Sequence, residues 1–267
     1  MMEKGKYLLD NKKDIVKELY LNSNLSLTKI AEQLGVSRQT VTNFVKKEGL
    51  YQPAIKTRAV RTYAFDESFF EEINSEDKAY WLGFIAADGG IRQDGLRLTI
   101  ELAIKDKEHL EKFNCSINSQ NPIKEYQREY PSATAVINSK KVCIDLAKYG
   151  IIPNKTENFD FNFALIPQKF MPDFIRGYFD GDGSIYQESR GTWGINFTGN
   201  MQFLNQLNKY LPVQIHLRDK ETYGILETQN SKNIETILHF MYDDSTIYLE
   251  RKFLKTKQFL QALNDYQ

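Results

Sequence analysis

Two Asp-Gly pairs, Asp88-Gly89 and Asp182-Gly183, stand 94 residues apart in this 267-residue chain, each at the end of an apolar segment. Carboxylates are hard oxygen ligands suited to Mg²⁺, and two of them held close together repel unless a cation lies between. Asp180, two residues before the second of these, reads as structural support rather than as a ligand. His109, His216 and His239 are scattered without ligand spacing and read as surface or partly buried side chains. Cys115 and Cys143 form no CxxC pair, so neither a structural zinc site nor a disulfide framework is expected, and a reducing cytosol fits.

The segments that must position the aspartates are YWLGFIAADGGI (80–91) and DFIRGYFDGDGSI (173–185). Aligned, they match Gly83 with Gly177, Asp88 with Asp182, Gly89 with Gly183 and Ile91 with Ile185. Polar turns and alternating strands follow in both copies, then the helical stretches 106–113 and 200–207, then 135–146 answered by 226–238. Each copy ends on a lysine, GIIPNK at Lys155 and IYLERK at Lys252. This ordered correspondence indicates a tandem duplication whose unit reads helix, strand pair, helix, strand pair, helix. The first motif helix starts at a Ser75 cap, with Glu76 and Asp77 suiting the helix dipole. The second starts near Pro172. Glycine inside a helix costs about 1 kcal/mol relative to alanine. Gly83 and Gly177 at one register therefore point to two helix backbones in close contact, which would bring the ends bearing Asp88 and Asp182 together. In LRLTIELAI, Leu96, Leu98, Ile100 and Leu102 should face the core, and Arg97, Thr99 and Glu101 the other way.

These motifs resemble the LAGLIDADG homing endonucleases in their single-chain form with two pseudo-repeats, over about residues 66–260. The resemblance implies an α+β fold of two tandem αββαββα repeats, 66–165 and 166–267, forming a saddle of antiparallel sheets that cradles double-stranded DNA. It implies a monomer with internal pseudo-twofold symmetry that makes a site-specific double-strand break. Asp88 and Asp182 would bind Mg²⁺ or Mn²⁺, with Ala87 and Gly181 assigned to the same metal site. Lys155 and Lys252 would assist the attacking water or the charged transition state. Arg92, Gln93, Arg97, Tyr186, Gln187 and Arg190, after the motif helices, are the expected DNA contacts. GYFDGDGS is close to the family pattern, whereas the first motif has Ala86 in place of an acidic residue.

The formal charge is zero, with 35 basic and 35 acidic residues, but the charges are segregated. Residues 1–60 carry a net +5 and the remainder −5. In the head, LSLTKIAEQLGVSRQTVTNFVKKEGL (25–50) follows a helical stretch from Lys13 to Leu21 with Ile15, Val16, Leu19 and Tyr20 on its apolar stripe. Ile30, Ala31 and Leu34, a Gly35 turn, a Ser37 cap and the stripe Val41, Phe44, Val45 resemble a helix-turn-helix of the homeodomain-like or resolvase-like type over about 40 residues, within a domain set at 1–50. Its outward face, with Arg38, Gln39, Thr40, Asn43 and Lys46, suits base edges in the major groove. Residues 51–65 read as a linker, where Lys56, Arg58 and Arg61 could follow the phosphate backbone.

Composition excludes a disordered or fibrous chain, and no apolar run is long enough to span a membrane. A signal peptide is not expected from the first residues. A cytoplasmic, nucleoid-associated protein of a bacterial or phage-infected cell fits. A non-catalytic transcriptional regulator on the same scaffold stays open as the alternative. Intein chemistry is not expected from the residues at the two ends.

Overall fold

The computed structural model describes residues 12–22, 25–50, 63–155 and 159–265. The chain forms two compact units, residues 1–62 and 63–267.

In the first unit, α1 (Lys13–Asn22), α2 (Leu27–Leu34) and α3 (Arg38–Lys47) enclose a core of Val16, Tyr20, Ile30, Ala31, Leu34, Val41, Phe44 and Val45. Ser26 caps α2 by accepting from the Lys29 amide, and Ser37 caps α3 by accepting from Thr40. Each cap satisfies one of the backbone donors orphaned at a helix start. Gly35, with φ of 67°, turns the chain between the two helices. Ile15, expected on the buried stripe of α1, is instead 48% exposed. It lies beside Val16 in sequence, a 100° step around the helix, and the small three-helix core covers only one narrow face.

The second unit consists of two copies of one topology. The first copy runs α4 (Glu76–Asp88), β1 (Gly89–Ile91), β2 (Arg97–Ala103), α5 (Lys107–Ser116), β3 (Lys124–Tyr126), β4 (Ser132–Asn138) and α6 (Lys140–Lys148). The second runs α7 (Met171–Asp182), β5 (Gly183–Gln187), β6 (Trp193–Gly199), α8 (Met201–Asn208), β7 (His216–Asp219), β8 (Gly224–Thr228) and α9 (Ser231–Tyr242). A last helix, α10 (Glu250–Asp265), follows only the second copy among the described residues. Each copy forms an antiparallel four-stranded sheet, ordered β1-β2-β4-β3 and β5-β6-β8-β7.

One face of each sheet lies on the helices. In β2, Leu98, Ile100 and Leu102 are buried while Glu101 is exposed and Arg97 and Thr99 are intermediate. Leu96, expected in the same inward row, precedes the strand in the β1–β2 turn and is 42% exposed. Helices α4 and α7 form the centre of the core, and Ala79 through Ala86 of α4 are buried without interruption. Their glycines explain the closeness. A side chain at Gly83 would collide with the Phe174 carbonyl, and one at Gly177 with the Tyr80 carbonyl. Tyr80 and Phe174 occupy one register of the two copies, so the contact repeats about the pseudo-twofold axis. The connection between the copies is itself core: Phe159 stacks on Phe203 and Phe161 on Phe174, with centroids 4.8 and 4.9 Å apart.

Candidate active site

Helix α4 begins where Ser75 accepts from the Lys78 amide, and α7 carries a proline in its first turn. Each helix ends on its aspartate because β1 and β5 begin at the very next residue, Gly89 and Gly183. The two aspartates thus stand at a shared C-terminal end, where the helix dipoles already concentrate negative potential. The two ends touch. A side chain at Gly181 would run into Ala87 and would lie 3.4 Å from Asp88 Oδ2. The Asp88 carboxylate therefore lies against the residue immediately preceding Asp182.

Asp88 is open to solvent on one side and Asp182 is partly buried. Desolvation raises the Asp88 pKa to about 6, reinforced by the negative charge of Asp182 and opposed by Lys252 and Lys155. Asp182 is likewise raised by desolvation, with Lys155 and Lys252 acting against the shift. A cation at this end would relieve both effects.

Lys155 and Lys252 grip the two helix ends in equivalent ways. Lys155 Nζ donates to the carbonyls of Ile85, Ala86 and Ala87 at 2.6, 2.7 and 3.1 Å. Lys252 Nζ donates to Phe179, Asp180 and Gly181 at 2.6, 2.8 and 3.2 Å, and to Gly183 at 2.6 Å. The first three acceptors are the same register positions in each copy. Desolvation lowers both lysines to about 8, although the aspartates pull the other way. The carbonyls of Ala87 and Gly181 are thus shared with ammonium groups.

The donor set is compatible with Mg²⁺. Among the described residues, no group of three His, Cys, Asp or Glu side chains could by itself hold a metal ion. Mg²⁺ does not require one, because it commonly keeps several waters and is held by one or two carboxylates together with substrate phosphates.

Three polar residues beside this site are buried: Asp180, expected as structural support, Arg176, which the sequence reading did not single out, and His109. Asp180 is buried and takes hydrogen bonds from the Tyr242 hydroxyl, the Tyr80 hydroxyl and the Leu249 amide, each at 2.7 Å. Arg176 is also buried and donates to the carbonyls of Met241 and Ile247 and to Glu76. His109, read as surface or partly buried, is 3% exposed, and its Nε2 bonds the Tyr80 hydroxyl at 2.9 Å. Desolvation lowers its pKa to about 3, so it is neutral. The one available signal for Arg176 was a basic residue between the apolar positions Ile175 and Tyr178 of α7.

The expected DNA-contacting residues of the second unit lie on the β1–β2 and β5–β6 hairpins. Arg92 is exposed but ion-paired to Asp94 at 2.5 Å, and Arg97 donates to Asn138 at 2.8 Å. Gln93 donates to Asn154 at 2.7 Å, next to Lys155. Gln187 and Arg190 are exposed, and Tyr186 is half-buried against Gly194. In the first unit, Arg38, Gln39, Asn43 and Lys46 are exposed on α3 and Thr40 is half-buried, its hydroxyl 2.8 Å from that of Ser37. Gln39 donates to Asn43 at 2.8 Å. Lys56, Arg58 and Arg61 lie outside the described residues.

Residues 11–47 match the family model of an HTH domain. An uncharacterized protein of Methanocaldococcus jannaschii is 27% identical over 121 residues. That match spans 45% of this chain, and the chain spans 45% of the length of that relative. Among solved structures, the LAGLIDADG homing endonuclease I-SmaMI bound to cleaved DNA is similar with a TM-score of 0.51 and 14% identity, covering 73% of this chain and 92% of that one. The same enzyme bound to an uncleaved DNA target in the presence of calcium ions gives a TM-score of 0.50 and 13% identity, covering 70% and 92%. The chain joins a helix-turn-helix domain to a body with the LAGLIDADG homing endonuclease fold.

Proposed function

We propose that the protein is a site-specific double-strand DNA endonuclease that depends on a divalent cation, Mg²⁺ or Mn²⁺. The observation that carries this reading is the pair Asp88 and Asp182, at one register of both copies and at touching helix ends, each raised in pKa by burial. The solved structures of similar fold hold DNA, one of them in the presence of calcium ions. The two carboxylates would hold the cation, with Ala87 and Gly181 adjoining the site. The cation when bound stabilises charge on the attacking and leaving oxygens of a phosphodiester displacement. Lys155 and Lys252 have pKa values near 8, so each can hold or release a proton at Nζ close to neutral pH. Each also lies beside an aspartate where negative charge accumulates.

In this reading residues 1–50 bind DNA through Arg38, Gln39, Thr40, Asn43 and Lys46, and residues 51–65 link them to repeats 66–165 and 166–267. The hairpin residues Arg92, Gln93, Arg97, Tyr186, Gln187 and Arg190 meet the target duplex, and the protein acts as a monomer in the cytoplasm. Among the described residues, no helix is long and apolar enough to cross a membrane. The test is incubation with a DNA target library and Mg²⁺: discrete double-strand breaks support the reading, and intact DNA throughout contradicts it.

The helix-turn-helix match favours a second reading, a regulator that binds DNA without cutting it. Retention of both aspartates speaks for the nuclease. DNA binding with reporter control and no metal-dependent cleavage would select the regulator.

A further inference from the structure

The two lysines make matching contacts, but the elements that carry them are held very differently. Lys252 lies in the first turn of α10, and its amide donates to the Leu249 carbonyl at 3.0 Å. Leu249 in turn donates its own amide to Asp180 Oδ2 at 2.7 Å. The same Oδ2 accepts from Tyr80 across the helix interface, and Oδ1 accepts from Tyr242 at the end of α9. The connection between α9 and α10 is fastened at further points. Arg176 bonds the Met241 and Ile247 carbonyls at 2.6 and 2.8 Å, and Glu76 accepts from the Thr246 amide at 2.9 Å.

Among the described residues, the first copy shows no equivalent of this set of bonds. The register position of Asp180 is Ala86, and that of Tyr80 is Phe174. Lys155 lies in a turn rather than a helix, beside Asn154 with φ of 57°. The side-chain bond at Asn154 comes from exposed Gln93 on the β1–β2 hairpin. A buried carboxylate with all its bonds made by protein donors fixes geometry far more firmly than a solvent-exposed amide pair.

From this contrast we infer that Asp180 is a positioning residue for Lys252 alone, locking one of the two lysines in place while Lys155 follows the β1–β2 hairpin. In the nuclease reading, the two strand cuts then rely on lysines of unequal rigidity. The inference rests on that reading only for this consequence, because the placement of Lys252 is measurable in the free protein whether or not it cuts DNA.

The experiment is limiting acetylation of the full chain with acetic anhydride, read by mass spectrometry as labelling of Lys252 relative to Lys155. Asp180→Ala reproduces the alanine of the first copy. It should raise Lys252 labelling about tenfold, the scale of lost bonds to a charged group, with Lys155 changed less than about twofold. Asp180→Asn should restore near-native labelling, because the amide can offer its oxygen to Tyr80 and Leu249 and its N–H to the Tyr242 oxygen. Should the alanine variant not fold, Tyr242→Phe, which removes one bond, should give a smaller rise confined to Lys252. Unchanged Lys252 labelling, or a parallel rise at both lysines, in whichever variant folds would overturn the inference. DNA left uncut while Lys252 alone responds would contradict the nuclease reading and leave the inference standing.

Discussion

At the residue scale, the protein keeps two carboxylates in an environment that disfavours their charge. A carboxyl whose folded pKa lies above its unfolded value binds more protons in the folded state, so stability falls as pH rises through that window. For Asp88 the window runs from the ordinary carboxylate value of 3.8 to about 6. Asp88→Asn should therefore raise the melting temperature of the metal-free protein above pH 6 and change little below pH 4, as calorimetry can show. Adding Mg²⁺ should stabilise the native protein in proportion to the logarithm of its concentration, with a much weaker response in the variant. If the protein cuts DNA as proposed, Asp88→Asn or Asp182→Asn should lower the rate at least about 100-fold with DNA affinity largely kept, because several kcal/mol of transition-state stabilisation would depend on the bound cation. At limiting Mg²⁺ the native rate should rise with pH up to about 6, because a proton on Asp88 competes with the cation, and saturating Mg²⁺ should move this rise to lower pH.

At the element scale, the site exists because α4 and α7 touch along their backbones. Alanine at Gly83 or Gly177 would meet a carbonyl of the opposing helix, and main chain cannot move aside as a flexible side chain can. Each Gly→Ala change should cost at least about 1–3 kcal/mol in urea denaturation, the range for overpacked cores. A cost below about 0.5 kcal/mol, typical of a surface change, would contradict the close contact. Ser75→Ala should cost about 1 kcal/mol by removing the cap on the Lys78 amide.

These elements were legible because their signals are local or repeated. Ser75, Pro172, Gly35 and Ser37 mark helix ends by their own chemistry, and the 94-residue repeat aligned the glycines and aspartates. What could not be read depends on which groups meet across the fold. Tyr80 reaches Asp180 over 100 positions, and Asp180 reaches Leu249 over 69. Nothing in an apolar helix reveals that its one buried carboxylate will find three donors. His109 was misplaced for the same reason: its spacing carried no signal, and its partner Tyr80 stands on another helix. Ile15 and Leu96 continued apolar patterns past the point where the core could cover them.

At the scale of the whole molecule, the zero formal charge conceals a basic first sixty residues and an acidic remainder. Acidity in the second unit is partly absorbed by pairs such as Arg92–Asp94 and Arg218–Glu227. In the proposed reading, its DNA contact depends on a few side chains of the hairpins, and the first unit contributes more of the counterion release. Deleting residues 1–62 should reduce the slope of log affinity against log salt by up to about 4.5, since Arg38, Lys46, Lys56, Arg58 and Arg61 would each contribute about 0.9 per phosphate met. Fluorescence anisotropy over a salt series measures this, and an unchanged slope would contradict the division of labour.

Metal-dependent cleavage at Asp88 and Asp182 can be measured on a random duplex library, with sequencing of the ends produced in Mg²⁺, in Mn²⁺ and in chelator. Paired breaks on both strands are expected at one recurring sequence, present with either metal, absent in chelator and absent for Asp88→Asn and Asp182→Asn. Library DNA bound by the native protein yet intact in both metals would contradict the nuclease reading.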